Sequence, residues 1–197
     1  MPENKRRKPS QARAQATQNA ILEATFQILE TPDHPLTTNH VAQRAGVSIG
    51  TLYQYFSNLD DILAALGQKQ AQRDREKIAS ILKAQPDISS VRAIVRVLTT
   101  DDSILPSTRL RVSDALFRKH GQSAMTEQHK AFLDSLGNVG FELTREAAFI
   151  LTHAVVGLLR AAAADPGLDL NKDRLEDELV RMMESYIAAL MSTNAKA

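Results

Sequence analysis

The stretch from Thr37 to Phe56 leaves this chain few ways to fold. Val41, Ala42 and Ala45 give a short helix one apolar side, with small residues where a neighbour must come close. Gly46 follows, and glycine ends a helix in the left-handed conformation at little steric cost. Val47 plugs the corner, and Ser48 is placed to cap the next helix by accepting hydrogen bonds from its free N–H groups. In that second helix Leu52 and Phe56, four residues apart, share the inward face. At about 100° per residue the opposite side carries Gly50, Thr51, Tyr53 and Gln54. That side is polar, narrow and almost free of charge, which suits a helix lying in a major groove. Packing alone explains Leu52 and Phe56 but not the polar outer face.

The run Ala45-Gly46-Val47-Ser48-x-Gly50-Thr51-Leu52-Tyr53-x-Tyr55-Phe56, preceded by Thr37-x-x-x-Val41-Ala42-x-Arg44, resembles the DNA-binding domain of TetR-type transcriptional regulators. The likeness runs over about residues 17–66. It implies an all-α protein, with an N-terminal three-helix helix-turn-helix domain and a larger C-terminal helical bundle. It also implies a homodimer formed through the last two long helices. The expected division is a mobile basic arm over 1–12, a DNA-binding domain over 13–67, and an effector-binding and dimerisation domain over 68–197.

Helical periodicity supports this reading along the chain. Ile21, Ala24, Thr25, Ile28 and Leu29 repeat at three and four residues, with Phe26 widening the stripe, so a first helix is expected over about 13–30. Asn58 reads as the N-cap of a fourth helix, with Asp60 and Asp61 in its first turn, where the helix dipole favours negative charge. Ile62, Leu63 and Leu66 face back to the first three helices. A polar run over 68–77 follows, then Ile78, Ile81 and Leu82. Further helices are expected over 88–98, 107–120, 123–136, 144–164 and 172–191, with Asp165-Pro166-Gly167 as a strong turn signal. No segment alternates at period two, so no sheet is expected.

Charge and composition narrow the class of protein. The net charge is only +1, but Lys5, Arg6, Arg7 and Lys8 against Glu3 make the first eight residues basic. Such an arm beside a reading head is an electrostatic footprint for phosphates, and equally the composition of a solvated tail. With no cysteine, disulfides and thiolate metal sites are excluded. The longest apolar segment, 147–159, falls short of the roughly 20 residues that span a bilayer. A cytoplasmic protein with no membrane partner is expected. The histidines at 34, 40, 120, 129 and 153 have no metal-ligand spacing, and neither a phosphate loop nor a nucleophile elbow is present. Neither an enzyme nor a bound cofactor or metal is expected.

Residue by residue, the resemblance implies the following DNA contacts. Thr38 meets a phosphate at the start of its helix. Asn39 and Gln54 are amides able to pair with adenine, and Ile49 suits a thymine methyl. Ser48, Thr51, Tyr53 and Tyr55 clamp the backbone, Gly50 permits close approach, and Arg44 reaches a phosphate or a base. One position departs from the family pattern: Leu59 stands where a phosphate-contacting lysine is common.

The second domain carries the other inference, association. Ala154, Gly157, Ala161 and Ala164 form a flat face of small residues that lets another helix come close. Leu175, Leu179, Met182, Tyr186 and Leu190 form a second stripe. Both stripes suit a two-fold four-helix bundle or, equally, the monomer's own interior. The resemblance favours the bundle. It also implies a small-molecule effector, with Phe117, Met125, Phe132, Phe141 and His153 as candidates for its pocket. Arg109, Arg111 and Arg160 are expected as solvated charges. The expected function is that of a ligand-responsive repressor on a near-palindromic double-stranded operator. An effector-independent DNA-binding protein of the same fold, such as an architectural or division-control factor, is the alternative.

Overall fold

Pro9 opens the first helix, four residues earlier than periodicity alone suggests. Proline is pre-organised for the first helical position, where its missing N–H leaves no bond unmade. Helix α1 therefore spans Pro9–Leu29, and residues 9–12, expected in a mobile arm, are helical. The computed structural model describes residues 9–31, 34–85, 87–99, 104–121 and 143–194, with positions 123, 126, 129, 130, 133 and 134. The basic residues 5–8 and most of the helix expected over 123–136 lie outside the described residues.

Further α-helices with bounds among the described residues are α2 Thr38–Arg44, α3 Ile49–Tyr55, α4 Leu59–Ala84, α5 Val91–Thr99, α6 Pro106–His120, α7 Arg145–Ala164 and α8 Lys172–Asn194. The described residues contain no strand. Two compact units emerge. The first comprises residues up to Gln68 and a second segment, Arg111–Lys119; the second comprises Lys69–Leu110 and His120 onward.

In the first unit, Ile21, Ile28, Val41, Leu52 and Ile62 are buried together with Val112 and Ala115 from the later segment. Thr25 is fully buried on the same face of α1. Its hydroxyl donates to the Ile21 carbonyl oxygen at 2.8 Å, so no polar atom is stranded. Gly67 packs closely on the later segment: a Cβ there would lie 2.4 Å from the Val112 carbonyl oxygen and 3.0 Å from Leu116 Cβ. No side chain larger than hydrogen fits without movement.

In the second unit, Val91 and Val95 of α5, Leu151 and Val155 of α7, and Leu179, Val180, Met183 and Ile187 of α8 share one core. Ile78 and Leu82 of α4 pack with Ile94 of α5 beside it. Glu176 of α8 accepts from both Arg92 and Arg96 of α5, each at 3.0 Å. The polar run on α4 is not merely a solvated face. Gln70 and Asp74 are buried; Gln70 Nε2 donates to one Asp74 oxygen at 2.8 Å and Arg109 Nη1 to the other at 2.9 Å. Arg109, expected as a solvated charge, is thus half of a largely desolvated ion pair. Two oxygens with two donors is the arrangement a buried carboxylate requires.

Candidate nucleic-acid interface

The corner between α2 and α3 is built from backbone bonds that its sequence permits. Gly46 sits at φ +69° and donates to the Gln43 carbonyl oxygen at 3.2 Å, while Val47 N–H donates to Ala42 O at 3.0 Å. These bonds satisfy carbonyls that the end of α2 would otherwise leave open. Thr37 caps α2 by accepting from His40 N–H at 3.2 Å. Ser48 caps α3 by accepting from Thr51 N–H at 3.0 Å. Its hydroxyl also pairs with that of Thr51 at 2.8 Å.

Leu52 is fully buried and Phe56 nearly so, and these two fix the roll of α3. The outer face then presents Ile49, Gly50, Tyr53 and Gln54 to solvent. Tyr53 is 50% exposed, far too open for a core aromatic, and Ile49 is 38% exposed. Tyr55 is half-buried against the core. At the start of α2, the Thr38 and Tyr53 hydroxyls lie 3.3 Å apart. Asn39 is exposed beside them. Arg44, at the other end of α2, donates through Nε to Gln27 Oε1 of α1 at 3.1 Å.

The expected contact residues therefore gather around α2 and α3. Leu59, the departure from the family pattern, packs against the core of its unit. Beside it Asn58 caps α4 by accepting from Asp61 N–H at 2.9 Å, and Asp61 accepts in turn from Ser57 N–H at 3.1 Å. Asp60 and Asp61 are paired with Arg118 at 3.1 Å and Lys119 at 2.7 Å. The Lys119 ammonium holds the Asp61 carboxyl below its ordinary value; partial burial opposes this, and the bond from Ser57 N–H assists it. Gln27, Gly67, Arg118 and Lys119 carried no local signal in the sequence; their roles arise from contacts with distant residues.

Of the expected pocket residues, Phe117 belongs to the first unit, and Met125, Phe132 and Phe141 lie outside the described residues. His153 stacks on Phe149 at 3.9 Å with Nδ1 2.9 Å from the Phe149 carbonyl oxygen, and Phe149 is itself 52% exposed. Among the expected association residues, Gly157, Ala161, Ala164 and Met182 are exposed, and Ala154, Leu175 and Tyr186 are half-buried. Leu179 is buried in its own unit's core. The inward face of α8 is Leu179, Val180, Met183 and Ile187, so the free stripe is rotated from the one expected and excludes Leu179. Phe149, Ile150 and Leu158 of α7, unremarked in the sequence, are exposed beside the small residues.

Residues 21–66 match the family model for bacterial regulatory proteins of the tetR family. The chain is 25% identical over 192 residues to the HTH-type transcriptional regulator PksA of Bacillus subtilis, covering 90% of this chain and 93% of that one. Its fold is similar to that of a transcriptional regulator from Rhodococcus sp. Rha1, with a TM-score of 0.63 at 18% identity over 89% of this chain and 96% of that one. It is also similar to the fatty acid degradation regulator FadR from Bacillus halodurans, with a TM-score of 0.58 at 20% identity over 84% and 97%. A capped helix-turn-helix with an outward polar face, together with these likenesses, supports a DNA-binding transcriptional regulator. Residues 21–66 thus carry the tetR-type segment, and over most of its length the chain is similar to transcriptional regulators. Among the described residues, no helix is long and apolar enough to cross a membrane.

Proposed function

We propose that the chain acts as a homodimeric, ligand-responsive repressor that reads a near-palindromic operator with α3 in the major groove. The observation that carries this reading is the exposed, uncharged face of α3, held outward by buried Leu52. Ile49 and Gln54 meet base edges there, Gly50 lets the helix backbone come close, and Asn39 and Arg44 lie at the flanks. Thr38, Ser48, Thr51, Tyr53 and Tyr55 supply hydroxyls to phosphates. Leu59 supplies none.

Association proceeds through α7 and α8. Phe149, Ile150 and Leu158 are each about half exposed, and Ala154, Gly157 and Ala161 lie along the same face of α7. A contiguous apolar stripe of this kind is what a helix pair presents to its two-fold mate. Two reading heads then meet half-sites roughly 34–36 Å apart. A small molecule held in the second unit lowers operator affinity by a reciprocal coupling of about 1–3 kcal/mol. AlkX of Dietzia, a TetR family repressor implicated in the biodegradation of n-alkanes, and NalD, the secondary repressor of a multidrug efflux pump, have similar folds.

Selection of bound duplexes from a random pool tests the reading directly. A two-fold symmetric consensus is expected, with binding lost in Tyr53→Phe combined with Thr51→Ala. A pool that gains no consensus at low salt overturns it.

A further inference from the structure

We propose that Gln27 of α1 is a positioning residue for DNA recognition, holding the Arg44 guanidinium so that its outer edge faces the nucleic acid. This rests on the reading of Arg44 as a DNA contact. Arg44 is exposed at the end of α2, and a free arginine there loses rotamer entropy when it is fixed on a ligand. Here the loss is already partly taken. Arg44 Nε donates to Gln27 Oε1 at 3.1 Å, and Gln27 Nε2 donates to Glu23 Oε1 at 3.1 Å. That second bond sets which end of the Gln27 amide faces Arg44, because a carboxylate accepts and never donates when ionised.

With Nε occupied, the Nη1–Nη2 edge of the fork remains, and its two parallel donors match a phosphate or the O6/N7 edge of guanine. The chemistry of Gln27 matters as much as its reach. A carboxylate at this position would neutralise the guanidinium and repel phosphate, whereas an amide orients the cation at full charge.

The test is a double-mutant cycle on a duplex recovered from a random pool with the unmodified protein. Gln27→Ala, Arg44→Ala and the double variant are titrated by fluorescence anisotropy at several salt concentrations, with thermal melts alongside. Both sites are exposed and alanine favours helix, so the melts should coincide. Gln27→Ala should raise Kd about 2- to 10-fold with an unchanged salt slope, since no cation is lost. Arg44→Ala should raise Kd further, and Gln27→Ala should be silent in that background. A Gln27→Ala effect of equal size with and without Arg44, or none at all, overturns the positioning role while leaving Arg44 as a contact. An Arg44→Ala variant that binds normally instead removes the contact itself, and the proposal with it.

Discussion

The Thr38 hydroxyl on α2 lies 3.3 Å from the Tyr53 hydroxyl on α3, so two groups 15 residues apart converge at one edge of the exposed face. Tyr53→Phe and Thr38→Val each remove one oxygen from a solvent-facing site and should leave the melting temperature unchanged. Hydrogen bonds to a charged partner are worth about 1.5–3 kcal/mol, so each change should weaken operator binding roughly 10- to 100-fold. Fluorescence anisotropy on a selected duplex measures this, and an unchanged Kd would remove both hydroxyls from the set of DNA contacts.

Glycine has opposite meanings at Gly67 and Gly50. At Gly67 a Cβ meets a backbone carbonyl oxygen at 2.4 Å, whereas at Gly50 the nearest atom is Ser48 Oγ at 3.8 Å. Gly67→Ala should therefore destabilise by about 1–3 kcal/mol through overpacking, despite the gain in helix propensity. Gly50→Ala should be neutral or stabilising by up to about 1 kcal/mol, yet weaken DNA binding by holding the helix off the groove. Urea unfolding and anisotropy together separate the two effects.

Asp61 makes the first unit sensitive to acid. Its folded-state carboxyl is held below the ordinary value of 3.8, chiefly by Lys119. The stabilisation it contributes is present above that value and is lost as pH falls through the lower folded value. Unfolding midpoints should fall more steeply below about pH 4 in the unmodified protein than in Lys119→Met. Parallel curves would place the acid sensitivity elsewhere.

Arg109→Met should be among the most damaging single changes in the second unit. It removes the cation 2.9 Å from Asp74, whose side chain is only 11% exposed. Breaking a buried pair from one side typically destabilises by about 3–5 kcal/mol. Adding Asp74→Leu should recover much of that loss in a thermal melt; failure to recover would mean that Arg109 matters through its other contacts.

The exposed stripe on α7 gives an association test. Burying an isoleucine contributes about 1.5–3 kcal/mol, and a two-fold axis counts it twice. Ile150→Asp should shift the protein to monomers in sedimentation velocity and weaken binding to a full operator more than to a half-site. Sedimentation unchanged by the substitution would move the interface off this face.

The first three helices and the corner between α2 and α3 were legible because their determinants are local. Gly46, Ser48, Leu52 and Phe56 act within a few residues of one another, so spacing alone orders them. The second half of the chain was less so. Leu179 belongs to the core-facing stripe of α8, and a one-residue error in phase separates that stripe from the free one. Gln70, Asp74 and Arg109 looked like surface charge because their mutual satisfaction depends on residues 35 apart meeting. Gly67 carried no signal, since a helical glycine announces close packing only once its neighbour is known.

The segment Arg111–Lys119 closes the core of the first unit with Val112 and Ala115. The reading head is thus not a cassette. A single genetic crossover after residue 68 would graft α1, α2, α3 and the start of α4 without the piece that seals them, exposing Ile62, Leu63 and Leu66. Exchange of this head between relatives requires two junctions or a matching α6, which ties the inheritance of DNA specificity to sequence far downstream of the residues that read it.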